Sequence, residues 1–490
     1  MNESEYSRVN LPAPEPERPF TWHDAAAPLL ALGLSILYWN IFGMDRMSDS
    51  LPGLGIPVFV AAFFAAVLVI TGKRVTRDSG FAMAASLLLA ASCALHSHAG
   101  LTVLNCFAIL LLAAMATFSL SGQSRYGAFD LRDIPETVRL SVLALFTRLD
   151  RPFKAAKSLG RRDHGMLLRA IYTVLGTAVL LAVVLALLAS ADMVFGSFFT
   201  DIAEALREMS FGTVLWHIAR AVILALLIAS GLCFLRDSVP AARSRKRPDS
   251  EHRALPFLVP VLALDLIYAV FCAIQLRYLF GGAEAASMAG GWAEYARTGF
   301  FQLVAVAGID LVLCLLDTDE GRFSSKGGLA LRTADAALLL LTAVILVSAW
   351  YRMHLYIRAF GLSVLRLMTL WGMLVIAVGL LTAGWKLLRP TFRFWRVFFS
   401  VAVASWCLLS LIGPAARVAE YNVDAYLAGR LPQADVDYLE ELGCDARPAV
   451  ERLISASDDY DDEARNALTW FDQEAYDAAQ HWSTRTWSTR

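Results

Sequence analysis

The chain has 490 residues, 57% of them hydrophobic and only 18% charged, with a net charge of −1 and a mean hydropathy of +0.53. A soluble globular protein is about 45–50% apolar and about 25% charged, so the composition excludes an ordinary soluble domain. The apolar residues gather in runs of about 20, the length that crosses a bilayer as a helix, and not in the weak ten-residue alternation of a membrane β-barrel.

Residues 1–24 are polar and carry Pro12, Pro14, Pro16 and Pro19, which predicts a disordered tail. No basic stretch precedes the first apolar run and no small-residue cleavage site follows it, so no cleaved signal peptide is expected. Apolar spans then fall at 25–44, 54–72, 81–98, 101–120, 167–190, 212–235, 256–280, 299–316, 333–350, 363–384 and 394–413. The expected fold is an all-α polytopic membrane bundle of about eleven spans. Four spans lie in 25–120 and seven in 167–413, separated by a basic amphipathic cytoplasmic loop at 121–166. An acidic helical tail at 414–490 completes the chain.

Lys and Arg favour the cytoplasmic side of short loops. With the N-terminus inside, the loops at 73–80, 121–166, 236–255 and 385–396 are all basic and all cytoplasmic; the second holds nine basic and five acidic residues. The tail, with sixteen acids against seven basic residues from 415 to 490, then lies outside. In the long inner loop Val138, Val142, Leu145, Leu149 and Phe153 recur at helical spacing among basic residues. This predicts an amphipathic segment on the inner leaflet, with anionic lipid as a candidate partner there. The loop at 351–366 breaks the charge rule, because Arg352, Arg358 and Arg366 fall on the outer face. Arg358 and Arg366 are eight apart and share one face of a continuous helix. At least one of the three arginines is expected to clamp Glu294, Glu284 or a tail acid and so dock the tail; the rival reading is an anionic lipid headgroup or solute.

The seventh and eighth spans carry Asp265 and Asp310 where hydrocarbon disfavours an acid. A short loop makes them antiparallel, and both acids fall in the inner half of the bilayer. Tyr268, Cys272 and Gln275 continue one face of the seventh span, and Gln302 shares a face with Asp310, interrupted by Val306. Two readings stay open. In one, Asp265, Asp310, Tyr268, Gln275 and Gln302 form an ion or proton site along a hydrated path. In the other, each acid is a structural partner of an arginine such as Arg220, Arg332 or Arg277, or bonds across helices.

Six of the seven cysteines lie in apolar runs and read as small packing residues. His96 and His98 share a tight turn without an acid nearby in sequence, a poor metal site; no metal and no cofactor is expected. There is no GxxxxGK[ST], HExxH, GxSxG or kinase signature, so no enzyme activity is predicted. The basic loops lack the aromatic interleaving of a nucleic-acid surface.

Three segments, YARTGFFQLVAVAGIDL at 295–311, YRMHLYIRAFGLSVLRL at 351–367 and ARVAEYNVDAYLAGRLPQADVDYLEEL at 416–442, together resemble a bacterial multi-pass membrane family. It is known as domain of unknown function 4173, related to number 4153. The likeness runs from about Leu255 to the C-terminus, and the first half matches only in being polytopic. The resemblance implies a prokaryotic plasma membrane and no defined activity. One departure is Phe360-Gly361-Leu362-Ser363, where a Tyr-Gly-Leu-Thr type sequence is expected. Three functions compete: an ion- or proton-coupled transport protein, a sensory or assembly protein with protein partners not identified by the sequence, and a membrane enzyme acting on a lipid-linked substrate. The last needs clustered acids, histidines or metal ligands on the outer face, and these are sparse.

Overall fold

The computed structural model describes residues 22–43, 52–124, 130–151, 154, 211–238, 255–279, 302, 304–310, 328–457 and 460–489. Among them the regular elements are helices, with no strand. Seven are long and apolar enough to cross a membrane, and two shorter apolar helices accompany them. In chain order the helices are α1 (Trp22–Phe42), α2 (Gly55–Thr71), α3 (Arg77–Leu95), α4 (Ala99–Ser121), α5 (Ile134–Thr147), α6 (Phe211–Asp237) and α7 (Leu255–Leu279). Then follow α8 (Gly328–Phe360), α9 (Val364–Leu388), α10 (Phe394–Ile412), α11 (Pro414–Leu427), α12 (Val436–Glu441), α13 (Arg447–Ala456) and α14 (Asp461–Ala479). The seven and the two coincide with nine of the expected spans. The expected span at 167–190 and the tail at 1–21 lie outside the described residues, and only 302 and 304–310 of the span at 299–316 are described, as helix.

The chain gathers into two compact units. One comprises Met1–Ile36, Ala66–Gly72 and Val142–Asp237. Its described helices meet through hydroxyls. Ser35 Oγ donates to the Ala221 carbonyl at 2.7 Å. Ser230 Oγ donates to the Ala144 carbonyl at 2.9 Å and accepts the Arg148 N–H at 3.1 Å. Small hydroxyl residues let helices approach closely in lipid while satisfying each other. Asp237 at the end of α6 takes Arg151 at 3.2 Å and Arg148 at 3.7 Å. α5 covers the first part of the predicted amphipathic segment, with Val138, Val142 and Leu145 exposed, and Phe153 lies outside the described residues.

The other unit comprises Leu37–Ala65, Lys73–Ser141 and Ser238–Arg490. Thr76 and Ser79 form a capping box that starts α3, satisfying two of its orphan donors. A tight turn at His96–His98 reverses the chain into α4. The α3–α4 hairpin packs on α2 and α10 around Leu89, Phe64, Leu112 and Cys407. One buried polar side chain ties this packing together. Asn105 donates to Ser92 Oγ at 3.0 Å and accepts from Trp406 Nε1 at 3.0 Å and Ser410 Oγ at 3.1 Å. Three polar partners from α3 and α10 thus use the amide on both sides, as an amide at membrane depth requires. Asp78 and Arg396 pair at the starts of α3 and α10, and His96 meets Leu411 at their ends. The two helices therefore run parallel.

α8 has 33 residues, about 50 Å at 1.5 Å per residue, against about 30 Å of hydrocarbon. It runs on through residues 351–360 of the predicted loop at 351–366. It stops at Gly361, whose φ of 76° is the left-handed conformation glycine tolerates. Ser363 then caps α9 by accepting the Arg366 N–H. Arg358 and Arg366 are consequently on different helices, which corrects the expectation of one shared helical face. The sequence YRMHLYIRAF contains no helix breaker, so its polarity mimics a loop without making one.

Residues 414–479 fold into α11–α14 around a core of their own, with Val423, Leu439, Val450, Leu453 and Phe471 buried. Leu101 of α4 and Val364 of α9 enter this core. The α3–α4 turn, the α8–α9 turn and the end of α10 thus share one side of the unit, here termed the tail side. The opposite ends carry Lys73, Arg74, Arg77, Lys386, Arg389, Arg393 and Arg396.

Candidate functional site

α7, the helical stretch at 304–310 and α8 converge on Asp310. Its side chain is fully buried. Tyr268 of α7 donates its O–H to Oδ1 at 2.8 Å, and Thr342 of α8 donates to Oδ2 at 3.1 Å. Thr342 sits one turn beyond Leu338 and also bonds that residue's carbonyl at 2.7 Å. Among the described residues no Lys or Arg forms an ion pair with Asp310. Three chain segments thus supply one acid and two neutral donors. Asp265 lies one turn before Tyr268, half-buried and within electrostatic reach of Asp310, with Oδ1 enclosed and without a hydrogen bond among the described residues. Asp335 of α8 is also fully buried and lies seven residues before Thr342, on the same helical face.

Apolar residues pack on both sides of Asp310, Tyr268 and Thr342. Val261, Leu331, Ala334 and Leu338 pack on the basic side. Cys272, Ile345, Leu346 and Ala349 pack on the other, with Val304 and Val306. These contacts rise together along α7 and α8 and fall along 304–310. α7 and α8 are therefore parallel, and 304–310 runs antiparallel between them in sequence. Among the described residues no group of three His, Cys, Asp or Glu can hold a metal ion.

The remaining candidates are placed apart. Gln302 is exposed. Gln275 lies in α7, but its side chain is outside the described residues, as are Glu284 and Glu294. Arg352 is buried on α8 and Arg358 is exposed on it. Arg366 caps the end of α8. Its Nη1 donates to the carbonyls of Phe360 at 3.0 Å and Gly361 at 2.5 Å, and its guanidinium lies 4.3 Å from the centre of the Tyr356 ring.

The tail meets the α8–α9 turn through other groups. Asn422 accepts the Leu362 N–H at 2.7 Å and donates to the Leu362 carbonyl at 2.8 Å, matching both backbone groups of one residue. Tyr438 Oη accepts the Val364 N–H at 2.9 Å. Neither residue is singled out by charge or spacing in sequence. Burial pushes the Tyr438 phenol up, so it stays protonated.

A second tail contact brings together residues 348 apart. Asp445 accepts the Ser97 N–H at 3.3 Å and lies 3.7 Å from His96 Nδ1, while His96 Nε2 lies 3.3 Å from the Leu411 carbonyl. Burial pulls His96 down, but the Asp445 carboxylate and the Leu411 carbonyl outweigh it and hold the imidazole above its ordinary value. Burial dominates at His98 and holds it below that value. Cys444 donates through N–H and Sγ to Glu474 Oε2, each at 3.1 Å. Burial, reinforced by Glu474, pushes its thiol up, so it is not a reactive thiolate. The sequence shows His96 without an acid because its partner arrives from the far end of the chain.

No curated protein and no solved structure matches the chain. A family model does, described as Domain of unknown function (DUF4153), over residues 83–453. The likeness therefore begins well before Leu255, in the half where sequence motifs show only polytopic character, and ends before the terminal Trp-Ser repeats. Because this match covers more than half of its length, the protein belongs to the DUF4153 family.

Proposed function

We propose that the protein is an integral membrane protein that takes up a proton or a small monovalent cation at Asp310, as one step of ion- or proton-coupled transport. The observation that carries this reading is a fully buried carboxyl with two hydroxyl donors and no Lys or Arg partner among the described residues. Such a group at membrane depth requires a positive charge to neutralise it, and a proton or a bare cation is what remains. The hydroxyls of Tyr268 and Thr342 are oxygen ligands suited to either. Asp265, within electrostatic reach, is the second acid to which the charge passes. The apolar residues on both sides support reading this as an occluded state, from which transport opens one side at a time.

The side bearing Lys73, Arg74, Arg77 and the arginines of 389–396 is cytoplasmic by the charge rule, and the tail side extracytoplasmic. The lipid is that of a prokaryotic plasma membrane, with anionic headgroups against α5 and its basic flanks. Infrared difference spectroscopy on reconstituted protein tests the central claim. Stepping pH or Na⁺ is expected to change a protonated-carboxyl band that Asp310→Asn removes. Identical difference spectra from both proteins overturn the reading.

The sensory or assembly alternative is favoured by one observation: the tail is packed over both turns on its side of the bundle. In that reading Asp310 is silent in the spectra and partners are captured through α11–α14.

A further inference from the structure

A cleft of about 250 Å³ opens between the α8–α9 turn and the tail. Its lining contains two charged side chains of opposite sign, Arg366 and Asp435. Each has committed one end to the fold and kept the other. Arg366 Nη1 holds the carbonyls that close α8, while Nε and Nη2 make no hydrogen bond among the described residues. The ring of Tyr356 lies against the guanidinium, its centre 4.3 Å from the guanidinium carbon. Asp435 Oδ1 caps α12 by accepting the Tyr438 N–H at 3.0 Å, and Oδ2 makes no hydrogen bond among the described residues. Leu362, Val423 and Leu439 give the lining an apolar part, beside the polar Ser363, Asn422, Gln433 and Tyr438.

A rigid, half-spent guanidinium presents two N–H donors to a carboxylate. A carboxylate that has used one oxygen as a cap presents the other to an ammonium. An anion alone would leave its charge facing Asp435, and an amine alone would face Arg366. A ligand carrying both charges meets both groups, and an apolar substituent meets the apolar part of the lining. We propose that this cleft binds a small zwitterion of the α-amino acid type, with its carboxylate on Arg366 and its ammonium on Asp435. The site lies on the tail side and does not depend on ion uptake at Asp310.

The test uses the whole chain in detergent micelles, with glycine, L-leucine and L-phenylalanine as probes in calorimetric titration. At least one is expected to bind, and its N-acetyl and methyl-ester derivatives to bind about tenfold more weakly or worse, since each has lost one charge-assisted hydrogen bond. Asp435→Asn keeps the helix cap, because Asn caps as well as Asp. It is expected to weaken the free amino acid about tenfold while leaving the N-acetyl derivative unchanged. The melting temperature without ligand reports whether the variant remains folded. The proposal is overturned if none of the three amino acids binds at about 10 mM, if blocking either end makes no difference, or if folded Asp435→Asn binds like the parent.

Discussion

His96 and His98 stand two residues apart in one turn and need opposite protonation states. Both ring nitrogens of His96 face acceptors, Asp445 and the Leu411 carbonyl, which suits the imidazolium. His98 Nδ1 accepts the Leu101 N–H at 3.3 Å, which only the neutral ring can do. The shifts follow: His96 is held above its ordinary value of 6.5 and His98 below it. A raised folded value means that the His96 contribution is complete below 6.5 and is lost as pH rises through the raised value. The lowered value of His98 means that its contribution is present above 6.5 and is lost as pH falls through the lowered value. The turn as a whole is thus firmest between the two. Hydrogen exchange at Ser97, corrected for intrinsic rate, is expected to accelerate as pH rises through the raised His96 value. In His96→Gln that alkaline acceleration disappears; an unchanged profile would show that His96 does not hold the tail.

At the scale of elements, the apolar spans were legible because length and hydropathy alone define them. The end of α8 was not, because no residue in its last three turns disfavours a helix. What stops it is Gly361, and the space there belongs to the tail: a Cβ on Gly361 would sit 2.7 Å from Asn422 Oδ1. Gly361→Ala therefore meets both left-handed strain and the displacement of Asn422. It is expected to cost about 1–3 kcal/mol in denaturant unfolding, with Asn422→Ala costing about 1–2 kcal/mol. Combined, the two should cost less than their sum, because the first already breaks what the second removes. Full additivity would separate the turn from the tail. The same break places Arg366 at a helix start beside the cleft instead of in line with Arg358.

For the whole molecule, the local signals found the acid and one of its partners, Asp310 and Tyr268. Thr342 escaped notice, since a threonine in an apolar run carries no charge to mark it and becomes a hydrogen-bond partner of Asp310 only through the packing of α8 beside α7. Contacts across hundreds of residues were hidden for the same reason, and the repeats near the C-terminus are the clearest case. Residues 482–488 lie as a strap over two helix ends. The Ser483 carbonyl accepts from Gly53 N–H at 2.8 Å and Gly55 N–H at 2.9 Å, and the Arg485 carbonyl from Leu54 N–H at 3.0 Å. Trp487 and Ser488 donate to the carbonyls of Ala94 and Leu95 at 2.8 and 3.3 Å. Trp482 adds a side-chain bond to Asn40 at 3.2 Å. The strap so satisfies orphan donors where α2 begins and orphan acceptors where α3 ends. Ending the chain at Ala479 is expected to cost about 2–5 kcal/mol and to lower the melting temperature, water replacing part of what is lost. An unaltered melting temperature would show the strap to be passive. The strap also sets a schedule for synthesis. Residues 53–55 leave the ribosome more than four hundred residues before 483–488, a wait of tens of seconds or more at about 5–20 residues per second. The first hairpins must cross into the membrane with their ends uncapped and be held meanwhile by water or by the insertion machinery, so the earliest part of this bundle to be made is among the last to be finished.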